Sequence, residues 1–198
     1  MARPRRVSDD QILMATARVM GRVPPGELTL SLVGREIGLA PATLLQRFGS
    51  KLGLLSALAE AGAQGMPDVL VAVRATYASP SAAIDAYLKG FAMLAPTAKA
   101  LVNNLAYLQL DVSEPALRAP TRAMFAAHEA ALRSLLDEGV AAGELRAHDS
   151  ASVARTLLSV VQGALIVWGV YRNGTVSAAI EREERAVMGP YSKAKLNP

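Results

Sequence analysis

Apolar residues recur along this chain at spacings of three and four, the repeat of an α-helix. Ile12, Ala15, Val19 and Met20 form one narrow stripe and predict a helix over residues 9–20. Ser8 is placed to cap it, and Asp9 and Asp10 suit the positive end of its dipole. After the loop "GRVPPGEL", Leu30, Val33 and Ile37 predict a second helix, capped by Thr29 and stopped by Gly38. Gly34 weakens that helix unless a neighbour presses close there. A third opens at Pro41, where a missing N–H is harmless, turns Leu44 and Phe48 inward and closes at Gly49. Ser50 then caps a fourth, from Lys51 to about Ala63.

Two of these helices have barely two turns, too few to be stable alone, because nucleation costs more than a few hydrogen bonds return. They need bracing by the first helix. A short helix, a tight turn and a second short helix so braced make a helix-turn-helix. In that motif the second helix lies in the DNA major groove while the first crosses the backbone. Thr43, Gln46 and Arg47 are left on its outer side.

The remaining chain also reads as helices, so the fold class is all-α. Ile84, Tyr87, Leu88 and Phe91 predict a helix over 81–94, and Leu101, Leu105 and Leu108 one over 97–110. Pro115 and Pro120 are expected to interrupt the chain before a helix over 121–141 that carries Phe125, His128, Leu132, Leu135 and Leu136. Asp149 or Ser150 caps a long helix ending near Arg172, and Thr175 caps a last one ending near Met188.

Composition agrees. Hydrophobic residues make up 52% of the 198, aromatics only 5%, and Ala and Leu favour helix. The absence of Cys removes disulfides and thiolate metal sites and fits a reducing cytoplasm, the expected location. The basic start has no apolar stretch behind it and does not read as a secretory signal. The longest uncharged run, Thr156 to Tyr171, is 16 residues with Gln162 inside it. A membrane span needs about 20, so this run is expected to be a buried helix, with no membrane partner.

Charge sharpens the picture. Residues 1–51 hold eight basic and four acidic side chains, and the rest of the chain is balanced, so the whole net charge of +4 sits in the first quarter. A polyanion partner for that quarter is the economical explanation.

"ILMATARVM", "LTLSLVGREIGLAPATLLQRFGSKLGLLSAL" and the later "LLDEGVAAGELR" together resemble the tetracycline-repressor (TetR) family of bacterial transcriptional regulators. The first two blocks cover residues 12–58 without gaps. The resemblance implies a helix-turn-helix domain over residues 1–51, a connecting helix over 51–65, and a helical effector-binding and dimerisation domain over 66–198. It implies that Thr29 and Lys51 hold phosphates and that Ser31, Pro41, Ala42, Thr43 and Gln46 face the groove of a double-stranded operator. Arg47 would reach a phosphate or a guanine, and the arm of Arg3, Arg5 and Arg6 would reach the minor groove or a phosphate. Three positions depart from the family's habit. Leu45 stands where Tyr is usual, Arg47 where His is frequent, and Ala40 where Ser or Thr usually caps the third helix.

The same resemblance implies a homodimer through the last two long helices and a small-molecule effector bound in the C-terminal half. Val153, Leu157, Val160, Val161, Ala164 and Val167 are apolar on more than one face, which fits such an interface, and Gly163 and Ala164 permit close approach. Tyr87, Phe91, Asn104, Leu108, Phe125, His128, Gln162 and Trp168 lie on or beside inward stripes and are the candidate effector contacts. Apolar walls with a few polar groups are what ligand pockets use, and the balanced charge of this half suggests a largely apolar effector. The expected role is a cytoplasmic repressor released from a palindromic operator. No cofactor, metal site or enzymatic activity is expected: "HEAAL" lacks the second His of a zinc protease motif, and no phosphate loop, dinucleotide fingerprint or Cys nucleophile is present. The rival is a helical protein-interaction module that keeps the helix-turn-helix only as scaffold.

Overall fold

The computed structural model describes residues 7–193. Among these the regular elements are helical, with one isolated bridge between Leu145 and Ser192 and no strand. The helices are α1 (Asp9–Met20), α2 (Leu30–Ile37), α3 (Pro41–Phe48), α4 (Lys51–Gln64), α5 (Met66–Thr76), α6 (Pro80–Lys89), α7 (Ala98–Ser113), α8 (Pro115–Ala141), α9 (Ser150–Tyr171) and α10 (Val176–Met188), with a 3-10 turn at Gly90–Leu94. They form two compact units. The first contains residues up to 63 together with 97–124, and the second contains 64–96 and the chain from 125 onward.

In the first unit the caps set the helix starts. The Ser8 hydroxyl accepts from the Gln11 N–H at 3.2 Å, and Gln11 Oε1 accepts from the Ser8 N–H at 2.9 Å. Two N-terminal donors are thereby satisfied reciprocally. Thr29 Oγ1 accepts from the Leu32 N–H at 3.1 Å, and Gly38 takes the left-handed φ of 69° that ends α2. Close packing at Gly34 comes from the turn itself: a Cβ there would lie 2.5 Å from the Leu39 carbonyl oxygen. α3 starts at Pro41 without a side-chain cap, as Ala40 dictates. Ile12, Leu13, Val19, Leu28, Val33, Leu44, Leu54 and Leu55 bury a shared core that includes Tyr107 of α7 and Leu117 of α8. Asn103 of α7, itself buried, donates to the Gly21 carbonyl at 3.2 Å. The bracing of α2 and α3 therefore draws on α7 and α8 as well as α1.

In the second unit Ile84, Leu88, Leu132, Leu135, Leu136, Leu145, Leu157 and Ile180 are fully or almost fully buried, and α9 packs along α10. Three features differ from the sequence expectation. α5 was not anticipated, because Val69, Leu70, Val71 and Val73 mark no single face; only its Met66 is buried. The helix expected over 81–94 tightens into the 3-10 turn from Gly90, the residue with least helical preference in that run. Finally, Pro115 and Pro120 do not interrupt the chain before 121: α8 is one helix of 27 residues with Pro120 inside it. Pro115 stands at the first position, where its ring fits. Pro120 forfeits one backbone bond near that end, and the rest of the helix carries on.

Candidate functional site

α2 and α3 expose different chemistry. On α2, Ser31 and Arg35 are exposed four residues apart, on one face. On α3, Pro41, Ala42, Leu45 and Gln46 are exposed and Thr43 is half-buried, while Leu44 is fully buried and anchors the helix. The outer face of α3 is thus mostly apolar, and Leu45 leaves 52% of its surface in solvent.

The cations near these helices are largely committed within the unit. Arg47 Nη1 donates to the Val7 carbonyl at 2.8 Å and to Asp9 Oδ1 at 3.0 Å. Its side chain is only 25% exposed, so it fastens the end of α3 to the start of α1. Lys51 Nζ donates to the Pro25 carbonyl at 3.0 Å, tying the α1–α2 loop to the start of α4. An ammonium has three donors, so this bond leaves two. Arg18 and Arg22 both bind Glu36, and the hydrogen bond from Arg22, then that from Arg18, holds its carboxyl below the usual range. Arg35 has no ion pair or hydrogen bond among the described residues. It was not singled out from the sequence, although its spacing from Ser31 was a visible signal. Thr29 is exposed while its hydroxyl caps α2. Arg3, Arg5 and Arg6 lie outside the described residues.

In the second unit three of the candidate effector contacts come together. The Tyr87 hydroxyl lies 2.7 Å from His128 Nδ1 and 3.1 Å from the Met66 sulfur. The Phe91 ring sits 5.0 Å from the His128 ring and 6.3 Å from that of Tyr87, edge-on to the latter. Burial raises the Tyr87 pKa and lowers that of His128. Both are therefore uncharged at neutral pH, and the cluster is a neutral, aromatic lining with one internal hydrogen bond. Phe125 lies one turn before His128 on α8 and is half-buried. Gln162 is half-buried on α9. Trp168 is engaged at the end of α9, its Nε1–H donating to the Gly174 carbonyl at 3.1 Å. Asn104 and Leu108 belong to α7 in the first unit. Met66 is the member of the cluster that sequence reasoning missed.

α9 is the long uncharged helix. One side, including Val153, Leu157, Val161, Ala164 and Leu165, is buried. The other leaves Ile166, Val167, Val170 and Tyr171 exposed, the last two at 75% and 70%. The expectation of a buried helix therefore holds for one face only. The exposed face continues through Gly163 and Ser159 toward the start of the helix.

Residues 12–58 match the sequence profile of bacterial regulatory proteins, tetR family. No curated protein sequence matches the chain. Solved structures share its fold over nearly its whole length. A TetR-family transcriptional regulator from Agrobacterium tumefaciens is 18% identical, with a TM-score of 0.71, over 93% of this chain and 97% of that one. A protein from Saccharomonospora viridis solved in complex with choline is 17% identical, with a TM-score of 0.73, over 94% and 98%. The regulator FadR from Bacillus subtilis, solved with stearoyl-CoA, is 17% identical, with a TM-score of 0.67, over 91% and 98%.

Proposed function

We propose that this chain, whose residues 12–58 match the profile of the tetR family of bacterial regulatory proteins, is a homodimeric, effector-released repressor of transcription. The observation that carries the reading is the helix-turn-helix at α2–α3, with its outward faces free and the chain's whole net charge within residues 1–51. Residues 1–51 read the DNA, the helix over 51–65 connects, and residues 66–198 bind effector and dimerise. Ser31, Pro41, Ala42, Thr43 and Gln46 face the major groove. Thr29, Lys51, Arg35 and the arm of Arg3, Arg5 and Arg6 hold phosphates, which position the protein without specifying sequence. Arg47 acts mainly by fastening α3 to α1.

Dimerisation uses the exposed apolar side of α9, with α10 beside it. A two-fold dimer sets its reading helices about 34–36 Å apart, one helical turn, so the operator is palindromic. The effector is a small, largely apolar molecule that meets Tyr87, Phe91 and His128, with Phe125, Gln162 and Trp168 of the same unit as the further candidates. The neutral aromatic cluster supports that chemistry. An effector that favours an arrangement with misplaced reading helices lowers operator affinity, and by linkage the operator weakens effector binding by the same factor.

The test is selection of fragments of the source genome by the purified chain. A palindromic motif with half-sites about 10–10.5 base pairs apart, bound by two chains, is the expected result. Recovery of fragments with no shared motif would discard the reading in favour of a helical interaction module.

A further inference from the structure

Leu45 has no structural reason to be apolar. It projects from α3 with half its surface in water, beside the fully buried Leu44 that supplies the helix with its anchor. Its exposed neighbours Pro41 and Ala42 are apolar too. The one cation of α3, Arg47, is turned back onto Val7 and Asp9. The face that meets the groove therefore offers two uncharged side-chain hydrogen-bonding groups, the Gln46 amide and the half-buried Thr43 hydroxyl, and a prominent methyl-bearing branch.

Major-groove edges carry one apolar feature, the C5-methyl of thymine; every other edge presents donors or acceptors. A leucine pressed against N7 and O6 of guanine, or against the amino group of cytosine, strips water from them and returns no hydrogen bond. Against a thymine methyl it loses nothing and buries apolar area on both sides. The discrimination has both an attractive and a repulsive part. That the occupant is duplex DNA follows from the charge confined to residues 1–51 and from the uncommitted Arg35 on the adjoining helix.

We propose that Leu45 is a specificity-determining residue that reads the C5-methyl group of one thymine in each operator half-site. The proposal rests on the DNA-reading function above and adds to it the base and the atom recognised.

The experiment begins with duplexes enriched from a random-core library by the full-length chain. The enriched duplex is resynthesised with uracil in place of thymine, one symmetric pair of positions at a time; uracil pairs identically and lacks only the methyl. Affinities are measured by fluorescence anisotropy for the natural protein and for Leu45→Ala, at a salt concentration low enough for both to bind. Loss of one buried methyl contact weakens binding about fourfold per half-site, or about 15-fold for the symmetric pair. The expected result is one thymine pair at which uracil costs the natural protein about that factor and costs Leu45→Ala almost nothing. If no thymine pair is sensitive, or if Leu45→Ala keeps the full sensitivity, the assignment to Leu45 is overturned while sequence reading stands. If the library yields no enriched sequence, DNA reading itself fails and the assignment falls with it.

Discussion

Around α2 and α3 of the first unit the charged groups stay at the surface and link helices: Arg47 reaches Asp9 and the Val7 carbonyl, and Arg18 and Arg22 share Glu36. The second unit has surface ion pairs too, such as Arg74 with Glu138 and Arg155 with Glu129, but three of its titratable groups are drawn inside. Tyr87 and His128 satisfy each other between aromatic rings, and Glu184 is buried on α10 beside Asp85. The difference matches two kinds of partner. On the proposed function, a polyanion is met by Arg35, which is exposed and unpaired among the described residues, and by the two remaining donors of Lys51. The proposed apolar effector would be met by a lining with no net charge to strip of water. Within α3 the same contrast appears between adjacent residues, Leu44 buried for folding and Leu45 exposed for contact.

That pair offers the largest effect. Leu44→Ala should cost about 2–5 kcal/mol of unfolding free energy by opening a cavity in the first unit. Leu45→Ala should change stability by no more than about 0.5 kcal/mol. Urea melts of both variants check this, and similar losses would erase the distinction. Next is the outer face of α9. Val170→Glu should weaken the dimer by roughly 30-fold or more, the cost of burying an unpaired carboxylate at about 2 kcal/mol or above, while the circular dichroism of the chain stays unchanged. Sedimentation equilibrium reads this, and an unaltered dimer would place the interface elsewhere.

Gly34→Ala comes third. Its Cβ would meet the Leu39 carbonyl at 2.5 Å, and backbone must shift, at a cost of about 1–3 kcal/mol. A variant as stable as the natural chain would show that the α2–α3 turn is looser than described. A pH profile tests the neutral interior of the second unit. Burial, then the Asp85 carboxylate, pushes the Glu184 carboxyl up to about 8 from an ordinary 4.5. Asp85 and Lys89 on α6 and Glu181 on α10 are the charged groups around it. A raised carboxyl contributes stability that is fully present below the ordinary value and is lost as pH climbs through the folded one. The urea midpoint should therefore fall between about pH 5 and pH 8, and Glu184→Gln, which cannot titrate, should flatten that slope. An identical slope in the variant would remove Glu184 from the account.

The readability of the chain follows the same divide. α1 to α4 were legible almost to the residue because Ser8, Thr29, Gly38, Pro41, Gly49 and Ser50 are strong local signals placed close together. α5 carries no such signals and no single apolar face, and in α8 a local breaker, Pro120, was outvoted by the helix around it. For the site, exposure of Gln46 followed from periodicity, while Ser31 and Ala42 came only with the family resemblance. The attachment of Arg47 to Asp9 followed from neither, because the partners lie 38 positions apart and meet only through tertiary packing. Asn103 shows the same limit. Asn103 is buried and bonds Gly21, 82 positions away, a partner that helical spacing does not reveal.

The central claim, that the first unit reads DNA sequence, is most directly tested by anisotropy titrations of the selected duplex and a scrambled one across a range of salt, for the natural chain and Arg35→Ala. The account predicts that the selected duplex wins at every salt concentration. Arg35→Ala should lower affinity for both duplexes alike and reduce the salt slope by about 1 per chain, the signature of a lost phosphate contact. Equal, weak binding of the two duplexes by the natural chain would contradict it.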